Sequence, residues 1–253
     1  MKKLTSARKT ASYLKSYNGV GNRRFLECYI GNHKLGNDIL VLNMGSATDC
    51  PSKAMGMCTL CQGDKDDCYA LIEEIRYPAV KPYRDRQQDY WLSHTGEEIS
   101  WDIIHLLLTK TTKTTMGESR SVIETIRWFR FNEAGDFWSQ ACVEKLDIIS
   151  KRLMAYGIKT YGYTARADLD FSGVSFCCKG SGHENGNNGV TIVRKARDIE
   201  ANYKGNTYTE DGTKYKICVG NCRKCAYCKK FNGLNVVFAL HGKKQKAFTR
   251  KSK

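Results

Sequence analysis

Proline is nearly absent from this 253-residue chain, at three residues, which excludes polyproline spacers and collagen-like repeats. Acidic residues are also in short supply, 26 against 41 lysines and arginines, for a formal net charge of +15. No apolar run approaches the ~18 residues that a membrane helix needs; the longest, at 103–108, is far too short. The opening Met1-Lys2-Lys3-Leu4-Thr5 is basic, but no apolar segment follows it. No secretory signal is read there, and the expected location is the cytoplasm. With 41% hydrophobic and 26% charged residues, the chain is no disordered polyelectrolyte and has enough length for a real core.

Cysteine, by contrast, is plentiful: there are twelve. In a reducing compartment thiols stay open, so bunched cysteines point to metal or cluster ligation rather than disulfides. Cys218, Cys222, Cys225 and Cys228 form one group, C-x3-C-x2-C-x2-C. Structural zinc usually takes two separated knuckles. One short loop carrying four thiols is closer to the ferredoxin run, with the gaps reversed, and favours a [4Fe–4S] cluster. Lys224, Lys229 and Lys230 stand ready to offset the thiolate charge. Cys50, Cys58, Cys61 and Cys68 form the other group, whose wider gaps suit either a four-thiolate zinc site or a cluster. It follows directly on the apolar run at 38–43, read as a buried strand; parallel α/β folds build their sites at such strand ends. Of the remaining cysteines, Cys142 falls on an apolar helix stripe, and the adjacent Cys177 and Cys178 must face opposite sides of a strand.

Basic residues concentrate at the ends. Lys2, Lys3, Arg8, Lys9, Lys15, Arg23 and Arg24 precede any acid, and Lys243, Lys244, Lys246, Arg250, Lys251 and Lys253 follow the last one. Two such arms suit contact with the phosphates of DNA or RNA, or serve solubility alone. The expected organisation is a basic arm at 1–31, one α/β domain at 32–241 that includes the four-cysteine loop 218–228, and a basic tail at 242–253.

Between the arms, helices are expected near 83–92, at 100–109 with Ser100 as N-cap, and at 139–156, closed by Gly157. Strands are expected at 126–131, 159–164, 173–178, 189–194 and 234–240. The segments 126–131, 139–156 and 159–164 make one β-α-β unit with parallel strands. Trp128, Phe129, Phe131, Phe137 and Trp138, with Arg127 and Arg130, read as core packing or as a base-stacking surface. His183 reads as a loop residue, and His241 as a neighbour of the second cysteine group.

Several strings in order carry a resemblance: N-H-K-L-G at 32–36, Asp49-Cys50-Pro51, Cys68-Tyr69-Ala70, Tyr77-Pro78, R-F-N-E-A-G-D-F-W-S-Q at 130–140, Tyr161-Gly162-Tyr163-Thr164, and the closing four-cysteine run before a strand and His241. Together they resemble the gene product 88 family of phage proteins, whose layout is similar to that of radical S-adenosylmethionine (SAM) proteins. The resemblance implies a partial (β/α) barrel in the host cytoplasm, its first strand leading into a cluster loop at 50–68. Cys58, Cys61 and Cys68 would then be the three cluster ligands, with Tyr69 beside them. The turn at 132–136 would meet the SAM amino group through Asn132, Glu133, Gly135 and Asp136, and the C-terminal quartet would hold an auxiliary cluster. The loop is wider than the C-x3-C-x2-C of radical SAM proteins, and the turn reads N-E-A-G-D where theirs reads G-G-E. The expected function is that of a radical-SAM-like iron–sulfur protein acting on or near nucleic acid, with enzymatic activity of radical SAM type left open. Its alternative is a non-enzymatic nucleic-acid-binding protein whose cysteines hold zinc or an inert cluster.

Overall fold

The computed structural model describes residues 13–15, 26–31, 34–61, 67–113, 119–185, 187–223 and 225–240. Most of both basic arms, Asn32, His33, Lys224 and His241 lie outside them. The fold is mixed α/β, built on an open sheet of eleven strands. In chain order the elements begin with β1 (Tyr13–Lys15), β2 (Glu27–Ile30), β3 (Ile39–Leu42), α1 (Pro51–Ala54), α2 (Tyr69–Arg76), α3 (Val80–Ser93) and α4 (Gly96–Thr109). A hairpin, β4 (Thr111–Lys113) and β5 (Ser119–Ser121), precedes β6 (Trp128–Phe131), α5 (Gln140–Ala155), β7 (Lys159–Thr164), β8 (Cys177–Ser181) and β9 (Val190–Arg194). The chain continues through α6 (Ala196–Ala201), β10 (Tyr203–Lys204), β11 (Thr207–Glu210), β12 (Thr213–Ile217) and β13 (Val236–Ala239).

Seven strands, β3-β6-β7-β8-β9-β13-β12, lie side by side and parallel. Antiparallel strands close both flanks, β1 and β2 beyond β3, and β11 and β10 beyond β12. The sheet begins before Asn32: Glu27–Ile30 pairs with β3, and Leu26 and Cys28 are buried in the core.

Period-two alternation divides the parallel strands between two faces. Leu40, Leu42, Phe129, Phe131 and Cys178 point to one face and pack against the apolar stripes of α4 and α5, including Ile103, Leu107, Leu146 and Leu153. Ile39, Val41, Tyr161 and Cys177 point to the other. Cys142 joins the helix-side core, as its stripe requires, and accepts a hydrogen bond from the Trp91 indole at 3.5 Å.

Three details correct or narrow the sequence reading. Helix α4 starts at Gly96 rather than residue 100. Its cap is Thr95, in a capping box with Glu98, while Ser100 is buried inside the helix. Of the two readings of the aromatic cluster, core packing holds for Phe129, Phe131 and Phe137, which are buried, and the base-stacking alternative falls for them. Finally, β8 runs later than expected, over Cys177–Ser181 instead of 173–178.

Candidate metal centre and the sheet face beneath it

The first cysteine loop leaves the C-terminal end of β3, and the turn at 132–136 leaves the same end of β6. The two clasp each other. Asn43 accepts hydrogen bonds from the Glu133 and Ala134 amides at 2.7 and 3.1 Å, and Asn132 accepts one from the Met44 amide at 2.9 Å. Asn132 has φ +53° and Gly135 φ +75°, left-handed conformations that tighten the turn. A Cβ on Gly135 would lie 2.8 Å from the Gly45 carbonyl oxygen, so only glycine lets the strands' two exits approach this closely.

Asp136 lies at the centre of this junction. It accepts hydrogen bonds from the Ser52 and Thr164 hydroxyls at 2.6 and 2.7 Å, and from the Ala165 and Phe137 amides, both at 2.8 Å. Burial raises its pKa, and these donors pull the other way. Asp136 therefore ties α1, β6 and β7 together, and the N-cap of α5 is Ser139. Glu133 faces differently: its carboxylate accepts from the Tyr29 hydroxyl, and its carbonyl accepts from the Tyr69 hydroxyl at 2.6 Å.

Within the first loop Cys58 is the hub. Its thiol takes a hydrogen bond from Cys61, which lowers its pKa, and it feels the charges of Cys68 and Asp136. Cys50, at the N-cap of α1, also senses Cys58; burial pushes its pKa up to about 12. The C-terminal group forms a second neighbourhood. Cys218 interacts electrostatically with Cys228, Cys222 and Cys225 and is pushed up to about 12, chiefly by burial. Burial likewise pushes Cys228 up to about 11, against a hydrogen bond donated by Tyr163. All twelve cysteines are free thiols. Among the described residues, no three His, Cys, Asp or Glu side chains are grouped so as to hold a metal ion. Each quartet is instead a set of neighbouring thiols coupled through space.

The C-terminal loop joins β12 to β13, and Cys222 and Cys228 meet the sheet face opposite α4 and α5. There the strand register aligns Tyr29, Val41, Arg130, Tyr161 and Cys177 in one row across five strands, with Tyr163 and Lys179 paired beside it. Three cations are held here. Lys179 is 0% exposed and donates to the Leu234 carbonyl at 2.7 Å; burial lowers its pKa, partly offset by Cys228 and Cys177. Lys229 is buried, donates to the Cys222 carbonyl at 3.2 Å and lies 4.9 Å from the Trp128 ring centroid. Arg130 packs over the Tyr163 ring at 5.7 Å, and its Nε is buried with no hydrogen-bond partner. Burial raises the Cys222 thiol, while Arg130 and then Lys229 pull it back towards the thiolate.

Of the expected counter-charges, Lys224 lies outside the described residues, Lys229 is buried against the quartet and Lys230 is exposed. Arg130, Tyr161, Tyr163 and Lys179 were not assigned to this site from the sequence. Their signal was polar residues at alternate positions of strands whose other face is apolar. His183 lines a cavity of about 300 Å³ with Arg194, Glu210 and Tyr215.

Fold and site together define a cysteine-rich α/β protein whose two thiol groups share the mouth and one face of a largely parallel sheet. The chain belongs to the gene product 88 family of phage proteins, which it matches over residues 2–179. The C-terminal quartet lies beyond the matched residues. No curated protein and no solved structure matches the chain.

Proposed function

We propose that this phage protein is an iron–sulfur protein of radical-SAM-like layout, with one thiolate-ligated centre at 50–68 and a second at 218–228. The observation that carries the reading is the trio Arg130, Lys179 and Lys229. None has a carboxylate within ion-pair distance among the described residues, yet all three are held in the protein around the second quartet. A buried cation without a counter-charge is costly; Lys179 and Lys229 are buried and Arg130 is half-buried, so this face favours negative charge, which ionised thiols on an inorganic centre would supply.

A bound cluster would supply one-electron chemistry, extended to radical chemistry if SAM also binds. The chain's own contribution is to hold the thiols, balance their charge and fix the strand exits. Five sequential parallel strands, β3-β6-β7-β8-β9, support the partial-barrel comparison. The clasped turn at 132–136 places Glu133 beside Tyr69 and the first loop, where it can take an ammonium group. Asp136 is committed to four structural hydrogen bonds, which leaves Glu133 the better acceptor. The basic arms support contact with nucleic acid during that function.

Anaerobic purification tests the proposal. The protein is expected to be brown, with broad thiolate-to-iron charge-transfer absorption, and after reduction to convert SAM to 5′-deoxyadenosine. Brown protein that leaves SAM intact would make this a cluster-bearing binder; colourless protein with stoichiometric zinc would replace the enzyme reading with the structural one.

A further inference from the structure

We infer that Arg130 and Tyr161 form a binding site for the oxyanion group of a small molecule, a carboxylate or phosphate, on the sheet face that meets the C-terminal cysteine group. Arg130 and Tyr161 are direct partners in the β6–β7 register and so stand side by side on one face. Tyr161 is 2% exposed, and its hydroxyl has no hydrogen-bond partner. The Arg130 Nε is equally buried and equally unmet. No acceptor among the described residues takes a hydrogen bond from any nitrogen of this guanidinium, whereas Lys179 and Lys229 each have a carbonyl.

Buried donors are almost always satisfied. Two unsatisfied donors, one cationic and one phenolic, on partnered positions of adjacent strands, call for a common acceptor that carries negative charge. The Glu133 carboxylate, which accepts from Tyr29, accepts no hydrogen bond from Arg130. Arg130 and its electrostatic neighbours Tyr69, Glu133 and Tyr163 each keep partial solvent accessibility, so a solute can reach the guanidinium. A guanidinium fork and an adjacent O–H match the two oxygens of a carboxylate or two of a phosphate. The charge of Arg130 reaches Cys222, but no thiol accepts its hydrogen bonds. The site therefore goes beyond the proposed cluster ligation and does not depend on it.

Isothermal titration calorimetry with inorganic phosphate, and separately with acetate, at constant ionic strength tests this on the purified full chain. The expected result is saturable binding of at least one probe, lost in Arg130→Gln and weakened about tenfold in Tyr161→Phe, the value of one hydrogen bond to a charged group. Phosphate alone binding marks a phosphate-bearing ligand, and acetate alone a carboxylate. The basic arms are unchanged in both variants, so binding that survives Arg130→Gln belongs to them and overturns the site, as does the absence of saturable binding in the wild type. If Arg130→Gln does not fold, Tyr161→Phe decides: unchanged affinity overturns the proposal. Iron assayed on the same samples separates this outcome from the cluster reading, since iron-loaded protein without anion binding contradicts only the site.

Discussion

Single carboxylates do much of the anchoring around the first loop. Glu74 accepts from the Ala47 amide at 2.7 Å, from the Thr48 amide and hydroxyl, and from Arg84 at 2.8 Å. Burial alone would raise its pKa, but these donors hold it below the usual carboxylate range. A lowered folded-state pKa means stability that is present above the unfolded value and is lost as pH falls through the folded one. Urea unfolding from neutral pH down to about pH 3 is therefore expected to show a steeper acid loss for the wild type than for Glu74→Gln; equal slopes would contradict the assignment. Glu74→Ala leaves Arg84 buried without its main partner and is expected to cost about 3 kcal/mol. Asp136→Ala strands four donors, two hydroxyls and two amides, and is expected to cost at least ~3 kcal/mol in the same assay. A cost under about 1 kcal/mol would show that the junction between α1, β6 and β7 is held by something else.

At the scale of elements, the strands and helices with a continuous apolar signal were legible: β3, β6, β7, β9, β13 and α5 lie within two residues of their expected positions. Others were hidden for physical reasons. Strand β8 carries Lys179 and Gly180, which read as a loop because the lysine's burial depends on a carbonyl 55 residues away in sequence. Strands β10–β12 are short flanking strands with exposed lysines and threonines, so their periodicity is weak. The start of α4 was missed because Gly96 at its first position resembles a breaker, although Thr95 and Glu98 spell a capping box. Thr95→Ala is expected to lower stability by about 1 kcal/mol, read from the unfolding midpoint at constant m-value. Gly135→Ala combines a strained φ with a clash against Gly45 and is expected to cost ~2 kcal/mol or more. A neutral Gly135→Ala would mean that the two strand exits are not clasped as described. The cysteine groups were legible as sequence clusters, while the row of Tyr29, Arg130 and Tyr161 beneath one of them required the register of five strands.

The molecule as a whole has a polarity that its sequence only half reveals. The helix face of the sheet is an apolar core, and the opposite face gathers tyrosines, cations and thiols. That division leaves one face free for chemistry. The net charge of +15 adds a long-range attraction to polyanions. If the C-terminal arm touches nucleic acid, changing Lys243, Lys244 and Lys246 to Gln should weaken binding and flatten its salt dependence, with the logarithmic slope falling by roughly one per phosphate contact removed. An unchanged slope would take that arm out of the interface. The central claim, that buried cations and bunched thiols together retain an inorganic centre, is tested most directly by assaying iron, acid-labile sulfide and zinc per chain. The comparison is between anaerobically purified wild type and Cys222→Ser/Cys228→Ser. The account predicts iron and sulfide in near-equal amounts in the wild type, and a marked fall in both in the variant, with the share held at 50–68 remaining. Wild-type protein without iron and sulfide, or a variant with undiminished content, would contradict it.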